Sequence, residues 1–137
     1  LRRLNSHIVG EDAGIIVFDF ASGQTGLFDG NRLNEHVAEN TRLTMGEMWL
    51  EGSAGVLRLD GCARLWWKPQ GGKEALHPYS WRDTGFAGDS VHALQAHVIS
   101  HLRDGTYLEN SAREYLRNIE IEEAVYRSAK ENRHVPL

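Results

Sequence analysis

The histidines are the first candidates for chemistry in this chain of 137 residues, which has seven of them. His97 and His101 are four residues apart in a segment predicted to be helical, so both rings would lie on one side of the helix. That spacing can hold zinc, but the catalytic HExxH motif places a glutamate after the first histidine, where Val98 stands here. Because no third ligand is apparent, we predict no metal site.

Nucleophiles and acid–base groups form no catalytic arrangement either. Cys62, the only cysteine, lies in a predicted turn without a histidine beside it, and no serine stands in a GxSxG motif. Glu120, Glu122 and Glu123 cluster on a predicted helix, where charged side chains usually form the solvated face. The sequence therefore predicts no catalytic residue in this chain.

A dinucleotide-binding loop is absent from the sequence. The chain has fourteen glycines, but none forms GxGxxG between a strand and a helix, the arrangement that cradles a pyrophosphate. We therefore expect that this chain binds no cofactor by itself.

The segment His77–Asp83 is the best local candidate for ligand contact, because it is predicted to be a loop between sheet and helix. Its aromatic and hydrogen-bonding side chains suit stacking on a polyol and bonding to its hydroxyl groups. The alternative is that the loop only straps the core, which Trp81 and Phe86 would then cap. The predicted substrate-binding residues are His77, Tyr79, Trp81 and Arg82.

Strand patterns fill the first two thirds of the chain. Ala13–Phe20 is rich in β-branched and aromatic residues, and Thr25–Leu33 is a second predicted strand with Asp29-Gly30 as a turn or a bulge inside it. An antiparallel meander follows, in which short runs are separated by a glycine-rich turn and an Asp-Gly turn. Its predicted runs are Thr44–Glu51, Val56–Asp60, Ala63–Lys68 and the edge strand Glu74–Ser80.

Two helices are predicted in the last third. In the first, apolar residues recur at helical spacing; they are Val91, Leu94, Val98 and Leu102. Asp89 or Ser90 would be its N-cap, and Gly105 would end it. The second begins with the capping-box pattern Ser111–Glu114 and ends near Asn132. Strands followed by helices predict one α+β domain over residues 1–137, with both helices on one face of an open, largely antiparallel sheet.

Alternation along the strands divides the meander into two faces. The apolar face is expected to meet the helices; its members are Met48, Leu50, Leu57, Leu59, Leu65 and Trp67. The other face combines tryptophan and arginine with charges of both signs, a composition typical of the centre of a protein interface. The alternative is that loops or a terminal strand cover this second face. The predicted oligomer-interface residues are Met45, Glu47, Trp49, Arg58, Arg64 and Trp66.

The composition of the chain indicates which kinds of partner and compartment to expect. The net charge is −4 and the fifteen basic residues are scattered, so we expect no nucleic-acid partner. The apolar runs are too short to cross a membrane, and the single cysteine fits a reducing cytoplasm. The start, Leu1–Leu4, has neither an initiator methionine nor a signal peptide, so we interpret it as a cut inside a longer protein.

Several segments together resemble the C-terminal domain of the glucose–fructose oxidoreductase / inositol dehydrogenase (Gfo/Idh/MocA) family. Thr44–Gly52 and Gly55–Gly61 resemble its central strands. Asp89–Thr106 is similar to its penultimate helix, and Glu123–Ala129 with Val135–Leu137 to its closing helix and last strand. The resemblance extends from about Glu11 to the end of the chain, and the order and spacing of the segments are specific.

The resemblance implies that an N-terminal Rossmann domain is missing from this chain. Members of the family pair such a domain, which binds NAD or NADP, with a C-terminal domain that helps to form the substrate pocket and makes dimer or tetramer contacts through its open sheet face. The family's cofactor glycines, its lysine beside a proline, and its catalytic Asp and His would all precede Leu1. The implied function is the substrate-pocket and oligomerisation domain of a sugar, inositol or polyol dehydrogenase, inactive without its partner domain.

A second hypothesis belongs to another functional class. The chain could be a free-standing carbohydrate-binding or protein-interaction module that uses the flat aromatic sheet face as its platform. This hypothesis needs no cofactor and no second domain.

Overall fold

The computed structural model describes residues 1–5, 7–31, 33, 35–82, 84 and 88–137. Two compact units are formed, the first from Leu1–Asn34 and Tyr107–Leu137 and the second from Glu35–Thr106. Antiparallel strands precede two helices in the chain, which confirms the α+β class. The strands form a two-stranded and a four-stranded sheet, where the sequence had predicted one open sheet.

The first unit contains a β-hairpin. Strands β1 (Ala13–Asp19) and β2 (Thr25–Asn31) pair in antiparallel register, and the turn between them includes Gly23 at a φ of 91°. The prediction of a turn or a bulge at Asp29-Gly30 is wrong, because both residues continue the ladder with β1. The Phe28 ring lies over Gly30, where a side chain would collide with it, so the glycine accommodates the ring.

Helix α2 (Ala112–Glu131) completes the first unit, and its predicted ends are confirmed. The Glu114 backbone N–H donates to Ser111 Oγ at 3.3 Å, and the Ser111 N–H donates to Glu114 Oε2 at 3.3 Å. These reciprocal bonds are the capping box. Asn132 ends the helix in the left-handed conformation at a φ of 51°.

Helix α2 and strand β1 border a cavity of about 370 Å3 in the first unit. Its lining is mainly apolar and includes Ile16 and Phe18 from the strand and Ile121 and Val125 from the helix. Ala124 is a buried apolar residue of this helix. The apolar side chains that line this cavity are therefore gathered but not closely packed.

The second unit contains the predicted meander. Its four strands lie in the order of the sequence, each antiparallel to the next. They are β3 (Met48–Gly52), β4 (Gly55–Leu59), β5 (Leu65–Pro69) and β6 (Ala75–His77). The turn between β4 and β5 is longer than the Asp-Gly pair suggests: Ala63 occupies the left-handed region at a φ of 58°, and its N–H donates to the Asp60 carbonyl. This pattern is typical of a three-residue hairpin loop.

Helix α1 (Ser90–Asp104) follows the meander, and Gly105 ends it in the left-handed conformation, as predicted. Asp89 takes the N-cap position without a side-chain capping bond and instead accepts a hydrogen bond from the Thr84 hydroxyl at 2.9 Å. No residue of α1 is buried, and its apolar side chains Val91, Leu94 and Leu102 are about half exposed or more. Within the described residues, neither helix is long and apolar enough to cross a membrane.

Candidate interface on the four-stranded sheet

A row of side chains crosses all four strands of the meander. Trp49 of β3 lies opposite Arg58 of β4, which lies opposite Trp66 of β5, which in turn lies opposite Leu76 of β6. Side chains on one row of a sheet share a face, so the register assigns the two tryptophans and the arginine to the same side. We call this side the tryptophan face, and it consists of Trp49, Glu51, Val56, Arg58, Trp66, Lys68 and Leu76.

Arg58 is held between the two tryptophans of this row. Its Cζ atom lies 5.6 Å from the centre of the Trp49 ring and 5.2 Å from the centre of the Trp66 ring, within the range of cation–π attraction. Its Nε and Nη2 donate to the two carboxylate oxygens of Glu74 at 3.2 and 3.0 Å. The bonds with Glu74 raise the pKa of Arg58 above its ordinary value, so the guanidinium stays charged. The result is an ordered aromatic–cation stack with one paired acidic partner.

The tryptophan face is open in the described part of the chain. Trp49 is 58% exposed, whereas Arg58 and Trp66 are half-buried by their neighbours. Met45 is fully exposed, but it and Glu47 precede β3, because Gly46 at a φ of 140° interrupts the strand that was predicted to start at Thr44. Large aromatic surface left in water is typical of a protein contact site.

Asp60 is the buried polar centre at one end of this face, and the sequence had indicated it only as a turn residue. Asp60 is 6% exposed, and its carboxylate accepts hydrogen bonds from the Trp66 indole Nε1 and the Arg64 Nε, both at 2.9 Å. The backbone N–H groups of Cys62 and Arg64 donate to it at 3.0 and 3.1 Å. Burial raises the pKa of Asp60, but the hydrogen bonds from Trp66 and Arg64 outweigh burial and lower the pKa from 3.8 to about 2.

Acid should therefore weaken the fold through Asp60. A folded-state pKa below the unfolded value means that the stabilisation is complete above about pH 4 and is lost as the pH falls through about 2. We expect the free energy of unfolding of the unsubstituted chain to exceed that of Asp60→Asn at pH 6, and the part of this difference due to ionisation, about 2 kcal/mol, to disappear by about pH 2. Urea unfolding of both chains between these pH values measures it, and a difference independent of pH would contradict the assignment.

A groove of about 420 Å3 lies beside the Asp60 cluster. Both of its cations are already paired, Arg58 with Glu74 at 3.0 Å and Arg64 with Asp60 at 2.9 Å. Its lining residues are Val37, Ala38, Glu39, Glu47, Arg58, Asp60, Cys62 and Arg64. Among these described residues the groove offers no unpaired cation to an anion. The two ion pairs therefore stabilise the sheet and its turn.

The predicted substrate-binding residues follow the edge strand of the meander. His77 is the last residue of β6 and pairs with Leu65, and the Tyr79 hydroxyl donates to the Ala63 carbonyl in the turn between β4 and β5. Trp81 is 45% exposed and Arg82 is also exposed. Asp83 and Phe86, which belonged to the predicted loop, lie outside the described residues.

His101 of the histidine pair on α1 has a local structural role. The His101 ring lies 2.5 Å from the Thr106 carbonyl, a contact that joins the last turn of the helix to the segment after it. Among the residues that the structure describes, no three His, Cys, Asp or Glu side chains form a group suited to a metal ion.

The strand arrangement differs from that of a Rossmann dinucleotide site. Dinucleotides bind where parallel strands end beside helix N-termini, with a glycine-rich loop around the pyrophosphate. Every strand pair in the described part of the chain is antiparallel, and the sequence has no GxGxxG.

Comparison with known proteins relates the chain to oxidoreductases, although no protein-family profile matches it. It is 33% identical over 141 aligned positions to the D-apiose dehydrogenase of Paraburkholderia graminis, an alignment that covers 98% of this chain and 37% of that enzyme. It is also similar to a crystal structure of an oxidoreductase from Agrobacterium radiobacter in complex with NAD+, L-tartaric acid and magnesium. That match has 26% identity and a TM-score of 0.75, and covers 96% of this chain and 40% of the other.

The chain thus spans about two fifths of the length of the relatives that it matches. The sequence and the fold agree on the same relationship over nearly all of this chain. It is homologous to part of these oxidoreductases, which confirms the resemblance to the C-terminal domain of the Gfo/Idh/MocA family.

Proposed function

We propose that residues 1–137 are the substrate-pocket and oligomerisation domain of an NAD(P)-dependent sugar or polyol oxidoreductase, and that they do not catalyse the reaction alone. One observation carries this proposal: the chain aligns almost completely with two oxidoreductases but covers only 37% and 40% of their lengths. The antiparallel strands and the missing glycine-rich loop support the view that the cofactor site lies in another part of the parent protein.

The missing part would be a Rossmann domain that binds NAD or NADP and supplies the catalytic residues. The relative crystallised with NAD+ supports a nicotinamide cofactor for the parent. The single cysteine supports a reducing compartment, and we propose the cytoplasm.

Homo-oligomer formation through the tryptophan face is the second part of the proposal. Trp49, which is 58% exposed, can bury on the order of 100 Å2 against a partner, and the half-buried Trp66 can bury less. At about 25 cal/mol per Å2, covering both rings would contribute several kcal/mol to association. The stack on Arg58 supports this role because it orders the side chains before a partner arrives, which lowers the entropic cost of binding.

Substrate contact is the third part. D-apiose and L-tartaric acid, named for the two relatives, are small and rich in hydroxyl groups. The exposed side chains of Trp81 and Arg82 suit stacking on such a molecule and donating hydrogen bonds to it, and His77 ends the neighbouring strand. The Tyr79 hydroxyl already donates to Ala63, so we assign Tyr79 the role of holding this segment against the sheet.

Titration with NADH tests the proposal that the cofactor site lies in another part of the parent protein. We expect no saturable NADH binding by the purified chain in a fluorescence titration, because it has no phosphate-binding loop. A dehydrogenase with an intact Rossmann domain serves as the positive control, and circular dichroism verifies that the chain is folded. Saturable binding at micromolar NADH would contradict the proposal.

A further inference from the structure

Asp60 connects the turn between β4 and β5 to the tryptophan face. Two of its four hydrogen-bond donors are backbone N–H groups of the turn, those of Cys62 and Arg64. The other two are side-chain donors, the indole Nε1 of Trp66 and the Nε of Arg64. One buried carboxylate therefore organises the turn and one residue of the tryptophan face, Trp66.

The bond from Trp66 to Asp60 selects one orientation of the indole ring. A tryptophan side chain has two broad, opposed orientations about its second side-chain torsion, and they exchange the position of the N–H edge. With the N–H directed at Asp60 at 2.9 Å, the Trp66 ring lies 5.2 Å from the Arg58 Cζ and 5.8 Å from the Arg64 Cζ. The opposite orientation would leave the buried carboxylate without this donor, which is costly for a charged group.

We infer that Asp60 is a positioning residue of the interface: through the Trp66 indole N–H it holds the Trp66–Arg58 stack in the arrangement that a second copy of the chain contacts. This inference rests on the proposed function, because it concerns the same face. It extends that proposal to a buried residue that does not itself reach the partner.

If Asp60 acts on the interface through Trp66, its substitution should matter only when the Trp66 indole is present; if Asp60 only stabilises the turn, the effect should be the same without the indole. A double-mutant cycle distinguishes these two roles. Asp60→Asn keeps the size of the side chain but replaces one acceptor oxygen with a donor group. Trp66→Phe keeps an aromatic ring beside Arg58 but has no N–H. We expect Asp60→Asn to raise the self-association Kd by about tenfold in the unsubstituted chain and by less than about twofold in Trp66→Phe, measured by sedimentation equilibrium.

Nuclear magnetic resonance gives a second readout that does not depend on association. We expect the indole N–H proton of Trp66 to exchange with water at least about tenfold more slowly than that of Trp81, which is 45% exposed and lies outside the tryptophan face. If Asp60→Asn does not fold, exchange at Trp66 as fast as at Trp81 in the unsubstituted chain would still overturn the inference.

The outcomes separate the inference from the proposed function. An equal effect of Asp60→Asn in both backgrounds, or exchange at Trp66 as fast as at Trp81, would overturn the positioning role even if the chain self-associates. A monomeric unsubstituted chain would overturn the interface and, with it, the role of Asp60 there. Slow exchange at Trp66 in such a monomer would then report the bond to Asp60 alone.

Discussion

Replacing Trp49 with glutamate is expected to lower the assembly mass of the chain in light scattering to that of a single chain of 15.4 kDa. Trp49 is the most exposed part of the tryptophan–arginine stack. A partner that covers this face must therefore remove water from the side chain at position 49. A glutamate buried there must lose its water while Arg58 opposite it is already paired with Glu74, which costs several kcal/mol and corresponds to a Kd at least about 100-fold higher. The substitution also removes one of the two rings that hold Arg58.

A matched control is available in the same unit. Trp81→Glu makes the same chemical change at a tryptophan that is 45% exposed but lies outside the tryptophan face. We expect this variant to keep the assembly mass of the unsubstituted chain. If Trp49→Glu also leaves the mass unchanged, the tryptophan face is not an oligomer interface.

Replacing Gly55 with alanine is expected to destabilise the meander by about 3 kcal/mol or more. Gly55 has a φ of 144°, a region almost closed to residues with a side chain, and it is buried at the start of β4. A Cβ atom there would lie 2.1 Å from the Lys68 carbonyl oxygen and 2.9 Å from the Pro69 Cα, both backbone atoms of β5. Neither atom can move without disturbing the pairing that sets Arg58 opposite Trp66.

Gly52 is the natural control, because it pairs with Gly55 across the same hairpin. A Cβ atom at Gly52 would meet no atom within 4 Å, so Gly52→Ala is expected to change the free energy of unfolding by less than about 0.5 kcal/mol. Urea unfolding monitored by tryptophan fluorescence compares the two variants. Equal free energies of unfolding for the two variants would show that the hairpin does not need the left-handed conformation of Gly55.

The ends of the helices were determined by the sequence alone. Ser111 and Glu114 satisfy each other's backbone donors within a single turn, and Gly105 and Asn132 end their helices in the left-handed conformation. Each of these features depends on residues close together in the chain. The same holds for alternation along a strand, so the division of the meander into two faces was also predictable.

Tertiary structure decided the contacts between distant residues. Glu74 pairs with Arg58, sixteen positions away, only because the register of β4, β5 and β6 brings them together. The buried position of Asp60 and its bond to Trp66 likewise depend on how the turn closes; the Asp-Gly pair indicated a turn but not its length. At the open end of the β1–β2 hairpin, Asp29-Gly30 continued as strand because its partners on β1 outweighed the local preference for a turn.

The amino-acid sequence by itself therefore determined the order of the elements, the caps of the second helix and the relationship to the oxidoreductases, since these depend on local spacing along the chain. Only the tertiary structure decided that the strands form two sheets, that Arg58 lies between Trp49 and Trp66, and that Asp60 is buried and bonded to Trp66. Those features depend on which strands pair and in which register, and the energies that choose among pairings come from residues far apart in the chain.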